Sequence, residues 1–189
     1  MRLFSTLSQQ LEELRPRGEV ITLYVCGITP YDTTHLGHAS INVVYDTLRR
    51  YLAWRGQPMK YVQNVTDIDD DIIREAKKRG LAWDELARGE TERYLTDLRD
   101  LNVAMPDYYV RASDETAKMI ELIEALLAKD HAYARDGWVY YRVRSDPDFG
   151  RLAEAAGYIG YDAWLLTANE RGNFPDDPRK EDALDFVLW

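Results

Sequence analysis

The run Val20-Ile21-Thr22-Leu23-Tyr24-Val25 is apolar and β-rich, and it ends in the turn-prone Cys26-Gly27-Ile28-Thr29-Pro30. Helical spacing takes over from Gly37 to Trp54 and stops at Gly56, and a second β-rich run occupies residues 60–65. Strands joined by a helix of this length pair in parallel through a right-handed crossover. This β-α-β unit restricts the chain to α/β architectures. It also places the residues after the first strand in the crevice where open α/β sheets bind ligands.

Further along, Thr66 and Asp69 have the spacing of a capping box, opening a helix that Gly80 closes. Trp83, Leu86, Ala87, Tyr94, Leu98 and Leu101 recur at three- and four-residue spacing, which predicts a helix over 83–101. Ser113 is placed to cap another amphipathic helix containing Met119, Ile120, Ile123 and Leu127. Both are expected to be packing helices. Asp136-Gly137 suits a type I′ turn between two short strands within 134–143. From Ser145 to Leu184, Gly, Pro and Asp are frequent, and an irregular surface segment with one short helix is expected.

Hydrophobic residues make up 46% of the chain and aromatics 12%, which suits an ordered, core-forming protein. Cys26 is the sole cysteine, so an internal disulfide is excluded and a reducing compartment fits. No apolar run approaches the roughly eighteen residues of a membrane span, and the start lacks the pattern of a signal peptide. The expectation is a soluble cytoplasmic protein without a membrane partner. A net charge of -9 opposes binding to a polyanion, so any RNA partner would not dock mainly on these residues.

The stretch from Cys26 to Ala39 concentrates the chemistry. His35 and His38 stand three apart at a helix start, where unpaired backbone N–H groups and the helix dipole favour an anion such as a nucleotide phosphate. Gly37 between them lets a flat base or ribose approach the backbone. An isolated H-x-x-H is more often incidental, and only its position after a strand makes it informative. Cys26 alone reads as a small buried residue at a strand end. Asp67, Asp69, Asp70 and Asp71 read as first-turn carboxylates favoured by the dipole rather than as a magnesium site. His131, at a helix exit, reads as structural.

His35-Leu36-Gly37-His38 resembles the HIGH signature of class I aminoacyl-tRNA synthetases. Cys26-Gly27-Ile28-Thr29 resembles the cysteine and threonine positions of the cysteinyl-tRNA synthetase family. Tyr61 to Asp70 resembles its N-x-T-D-x-D-D block, and Asp182 to Trp189 its D-x-L-D-F-x-L-W segment. A close relative, the mycothiol-pathway ligase that joins cysteine to an amino sugar-inositol, shares much of this. Thr34 to Ala39, Val62 to Thr66 and Glu170-Arg171-Gly172-Asn173-Phe174-Pro175 are similar to that ligase, whereas Asp185-Phe186 and Ile41 favour the synthetase.

The resemblance implies the first half of a Rossmann-like, HIGH-type catalytic domain over 1–110, followed by a helical and two-stranded insertion over 111–189. It implies ATP-dependent activation of L-cysteine to cysteinyl-adenylate in a cysteine–tRNA ligase, with Mg²⁺ accompanying ATP. His35 and His38 would be catalytic. Gly27, Thr29, Thr34, Gly37, Asn64 and Thr66 would line the ATP and cysteine sites. Cys26 would be a ligand of Zn²⁺, whose remaining ligands, like the KMSKS loop, do not occur in these 189 residues. A missing carboxy-terminal half, or self-association, is therefore the expected partner, with tRNA bound only by a complete enzyme. The alternatives are a piece of the mycothiol-pathway ligase and a non-catalytic binding module.

Overall fold

The computed structural model of the chain describes residues 1–16, 18–57 and 59–189. A short antiparallel hairpin comes first, β1 (Arg2–Ser5) with β2 (Gln10–Glu13). Then follow β3 (Ile21–Val25), α1 (Leu36–Trp54), β4 (Met59–Val65), α2 (Asp70–Arg79), α3 (Trp83–Asp100) and β5 (Tyr108–Arg111). The rest of the chain forms α4 (Thr116–Ala128), β6 (Ala132–Arg135), β7 (Trp138–Tyr141), α5 (Arg151–Ala155), α6 (Tyr161–Glu170) and β8 (Phe186–Val187). These elements gather into two compact units, Arg15–Thr116 and the pair of segments Met1–Leu14 and Ala117–Trp189.

In the unit Arg15–Thr116, the sheet runs β3-β4-β5 with both pairings parallel, as the β-α-β reading requires. Tyr61, Gln63 and Val65 alternate along β4 and are buried. Gln63 donates to Asn42 of α1, and Val65 packs with Tyr94 and Leu98 of α3, so both helices cover this one face. On the opposite face, Val62 and Asn64 are half-buried and Tyr24 is exposed. The third strand, β5, carries only four residues and escapes the sequence reading. Its approach is held by polar ties: Arg49 pairs with Asp107 at 2.7 Å, and Asp107 accepts the Tyr61 N–H at 2.8 Å.

α1 buries two polar side chains along with Leu52 while leaving large apolar ones exposed. Asn42 and Asp46 are buried, whereas Leu36, Val44 and Trp54 are 86%, 61% and 78% exposed. The buried pair is satisfied: Asn42 donates to the His38 carbonyl and to the Tyr94 hydroxyl, both at 2.8 Å. Asp46 accepts from Arg50 at 2.7 Å and from the Ala104 N–H at 3.1 Å.

The cap expected at Thr66 lies three residues later. Asp69 is the N-cap of α2, accepting from the Asp71 N–H at 2.9 Å, and Gly80 closes the helix as expected. Asp67, grouped with the first-turn carboxylates by sequence, is instead buried before the helix and tied to β5. It accepts from Arg111 at 2.8 Å and from the Ser113 hydroxyl and N–H at 2.6 and 2.9 Å. Burial alone would push its pKa up, but these hydrogen bonds and the nearby guanidinium outweigh burial and hold it below the usual carboxylate value. Ser113 is thus spent on Asp67 and does not cap α4, which a 3-10 turn at Ala112–Glu115 introduces.

The second unit departs further from expectation. α4 has no buried residue, with Met119, Ile120 and Leu122 exposed, so it is not the packing helix its spacing suggests. The hairpin β6-β7 does turn at Asp136-Gly137, both with positive φ of 52° and 83°, the geometry of a type I′ turn. Between Ser145 and Leu184 there are two helices, α5 and α6, rather than one short helix, and just beyond that stretch β8 adds to the hairpin with Val187 opposite Tyr140. Asp185, fully buried beside it, accepts from the Tyr133 hydroxyl at 2.7 Å and the Val143 N–H at 2.9 Å. These partners are more than forty residues away in sequence, which is why the segment reads locally as irregular.

Candidate active site

The candidate catalytic, binding and metal-ligating residues lie in the unit Arg15–Thr116, at the carboxyl ends of β3 and β4, in the loop between β3 and α1 and in the first turn of α1. Cys26 follows β3 directly, with its thiol exposed. Gly27 lies so close to the neighbouring strand that a Cβ there would stand 1.6 Å from the Asn64 carbonyl oxygen. Only glycine fits. The close approach at Gly27 is therefore made to the protein's own backbone.

Asn64 gathers this end of the sheet. Its Oδ1 accepts from the Gly27 N–H and from the Tyr24 hydroxyl, both at 2.9 Å, and its Nδ2 donates to Thr66 Oγ1 at 3.3 Å. The Thr66 N–H in turn donates to the Ile28 carbonyl at 2.9 Å, which places Thr66 beside Thr29 at the mouth of the two strands. Tyr24 is the residue that sequence reading missed here. Burial and the adjacent Cys26 raise its pKa. Its signal was the two-residue period of a strand, which puts Tyr24 and Cys26 on one face.

His35 is the N-cap of α1 and accepts the Gly37 N–H through Nδ1 at 3.1 Å. His38 returns the contact, its Nδ1 accepting the His35 N–H at 3.5 Å, so the two imidazoles form a reciprocal capping box. The rings stack with centroids 4.0 Å apart and planes 19° apart. With Nδ1 an acceptor, each neutral ring carries its proton on Nε2 as a donor. Burial and the neighbouring His35 lower the His38 pKa, which favours this neutral form. A Cβ at Gly37 would lie 2.8 Å from the His35 ring, so this glycine makes room for the cap.

Thr34 is drawn away from the sheet ends: its hydroxyl donates to Asp97 of α3 at 2.5 Å. Asp97 left no sequence signal, being one polar residue on an amphipathic helix. Among the described residues no group of three His, Cys, Asp or Glu side chains converges as a metal site requires. Cys26 therefore offers a soft thiolate suited to zinc, but as one ligand alone. No helix among the described residues is long and apolar enough to cross a membrane. Arg179 and Lys180, the cations nearest the end of the chain, are engaged by Asp177 and Asn173.

A parallel sheet with its candidate ligands at the carboxyl strand ends, beside a capped helix start, defines a Rossmann-like ligand-binding domain. The chain belongs to the family of tRNA synthetases class I (C) catalytic domains, which matches residues 12–189. It is 42% identical over 192 residues to the L-cysteine:1D-myo-inositol 2-amino-2-deoxy-alpha-D-glucopyranoside ligase of Mycobacterium ulcerans, covering all of this chain and 46% of that protein. It is 38% identical over 194 residues to the cysteine–tRNA ligase of Trichodesmium erythraeum, covering all of this chain and 38% of the ligase. The chain thus spans less than half the length of these relatives. The fold is shared with Mycobacterium tuberculosis methionyl-tRNA synthetase in complex with methionyl-adenylate, at a TM-score of 0.59 and 14% identity, over 89% of this chain and 44% of that one.

Proposed function

We propose that this chain carries the histidine-bearing half of an active site that activates L-cysteine with ATP, within a cysteine–tRNA ligase. The observation that carries the reading is the stacked His35–His38 cap, whose two Nε2 donors stand at a helix start after the first parallel strand. A carboxylate oxygen of cysteine attacks the α-phosphorus of ATP in line, the bond to the bridging oxygen of pyrophosphate breaks, and cysteinyl-adenylate forms. His35 and His38 donate to phosphate oxygens as charge shifts toward the leaving pyrophosphate, with Mg²⁺ accompanying the nucleotide. Such catalysis is mainly positioning and charge stabilisation.

Thr29 and Thr66 line the cysteine pocket, while Asn64, its Oδ1 shared by Gly27 and Tyr24, holds the strand ends together. Cys26 is the residue of this chain that would hold Zn²⁺, which when bound distinguishes a thiol from the harder hydroxyl of serine. The exposed Leu36, Val44 and Trp54 of α1 support a partner that covers them, the expected carboxy-terminal half or a second copy.

A second reading concerns the acceptor. The cysteine:amino sugar-inositol ligases match at 39–42% identity and the cysteine–tRNA ligases at 38–39%. An amino sugar acceptor fits the net charge of -9 better than a polyanionic tRNA does. The test supplies the assembled enzyme with ATP and cysteine, then either tRNA or glucosaminyl-inositol. Cysteine transfer to tRNA supports the first reading and transfer to the amino sugar the second. AMP release that serine supports as well as cysteine refutes both.

A further inference from the structure

We propose that Glu90 is a positioning residue for the histidine-bearing loop, acting through Arg79 and Arg93. Its consequence for catalysis rests on the adenylation reading above. Glu90 lies on α3 and is 7% exposed, yet it carries a carboxylate. A carboxylate so buried is tolerable only with partners, and it has two. Arg79, from the last turn of α2, donates to Oε1 at 3.2 Å, and Arg93, one turn along α3, donates to Oε2 at 3.1 Å.

Both guanidiniums reach past Glu90 to the loop. Arg79 Nη2 donates to the Tyr31 carbonyl and to Asp32 Oδ1, each at 3.3 Å, and Arg93 reaches the Thr33 hydroxyl at 3.5 Å. One turn beyond Arg93, Asp97 accepts the Thr34 hydroxyl at 2.5 Å. Four consecutive residues, Tyr31 to Thr34, are thus tied to α2 and α3 immediately before His35. Tyr31, Asp32 and Thr33 are exposed, so beyond the buried Ile28 and Pro30 this part of the loop has little apolar packing of its own. The brace itself is firm, because Ile72 and Ala76 of α2 pack on Leu86 and Ala87 of α3.

The geometry separates holding the loop from building the core. The Glu90 charge holds two converging cations side by side; without it Arg93 loses its ion pair, Arg79 is left to Glu75 at 2.8 Å and to Asp32, and the ties to Tyr31, Asp32 and Thr33 loosen. The tether from Asp97 to Thr34 remains. The loop then samples several positions and carries the histidine cap with it.

The test uses the 189-residue chain and its three histidines, His35, His38 and His131, as separate imidazole signals in a proton–carbon correlation spectrum at fixed pH. Glu90→Gln keeps the volume and removes the charge. His35 and His38 signals are expected to shift or broaden while that of His131 stays in place. If this variant does not fold, Arg93→Ala carries the test, since that side chain is 57% exposed. Unmoved His35 and His38 signals in either folded variant overturn the proposal. In the assembled enzyme, Glu90→Gln is expected to slow cysteine-dependent ATP–pyrophosphate exchange about 10- to 100-fold, with the KM for cysteine nearly unchanged. An unchanged rate in an active enzyme also overturns it. If the unaltered enzyme shows no exchange, the adenylation reading fails, and the histidine signals alone decide the positioning role.

Discussion

Gly27 and Asn64 are locked together across β3 and β4: the Gly27 N–H donates to Asn64 Oδ1 at 2.9 Å, and the Gly27 Cα faces the Asn64 backbone with no room for a side chain. This contact sets the separation of the strand ends that flank Cys26 and Thr66. Gly27→Ala must push a backbone carbonyl aside and is expected to destabilise the chain by about 3 kcal/mol. Asn64→Ala leaves the Gly27 N–H and the Tyr24 hydroxyl without their acceptor and is expected to cost about 1–3 kcal/mol. Urea unfolding measures both, and a Gly27→Ala variant as stable as the parent contradicts the close approach.

Asp67 joins the end of β4 to Arg111 and Ser113. Asp67→Asn keeps the shape but weakens three charge-assisted bonds, with an expected cost of about 1.5–3 kcal/mol near neutral pH. Because the folded-state pKa of Asp67 is lowered, its contribution is fully present above the ordinary carboxylate value of about 3.9 and is lost as the pH falls through the folded value. The stability gap between parent and variant should therefore narrow as the pH falls below about 4. A gap independent of pH removes Asp67 from this role.

The β-α-β unit and the helix ends at Trp54 and Gly80 were legible in the sequence because local signals, strand composition, helical spacing and a closing glycine, agree there with the fold. β5 and β8 were not. Each is short, and each forms only by pairing with β4 or β7, far away in the chain. Within the candidate site, His35, His38 and Cys26 stood out by position and residue type, whereas Tyr24 and Asp97 act through contacts that span 40 and 63 residues. Asp67 and Ser113 misled in the same way: both residue types favour caps, yet each had a tertiary partner that won.

Cys26 supplies one thiolate, and stable zinc sites use at least three protein ligands. Metal analysis of the chain alone, after passage over a chelator, is expected to find well under one zinc per chain. Adding the complementary half should raise this toward one, and Cys26→Ser should abolish the gain. Stoichiometric zinc on the isolated monomer would overturn the single-ligand reading.

The central claim, that His35 and His38 serve cysteine activation in half of a class I site, is tested most directly by cysteine-dependent ATP–pyrophosphate exchange. The assay is run with residues 1–189 alone, then with the carboxy-terminal half of a cysteine–tRNA ligase added, and again with His38→Ala. The account predicts negligible exchange by the chain alone and clear exchange once the second half is present. His38→Ala should lower that rate by about 100-fold, as expected on losing a donor used in the transition state, while cysteine binding changes little. Robust exchange by the chain alone, or a rate indifferent to His38, would contradict it.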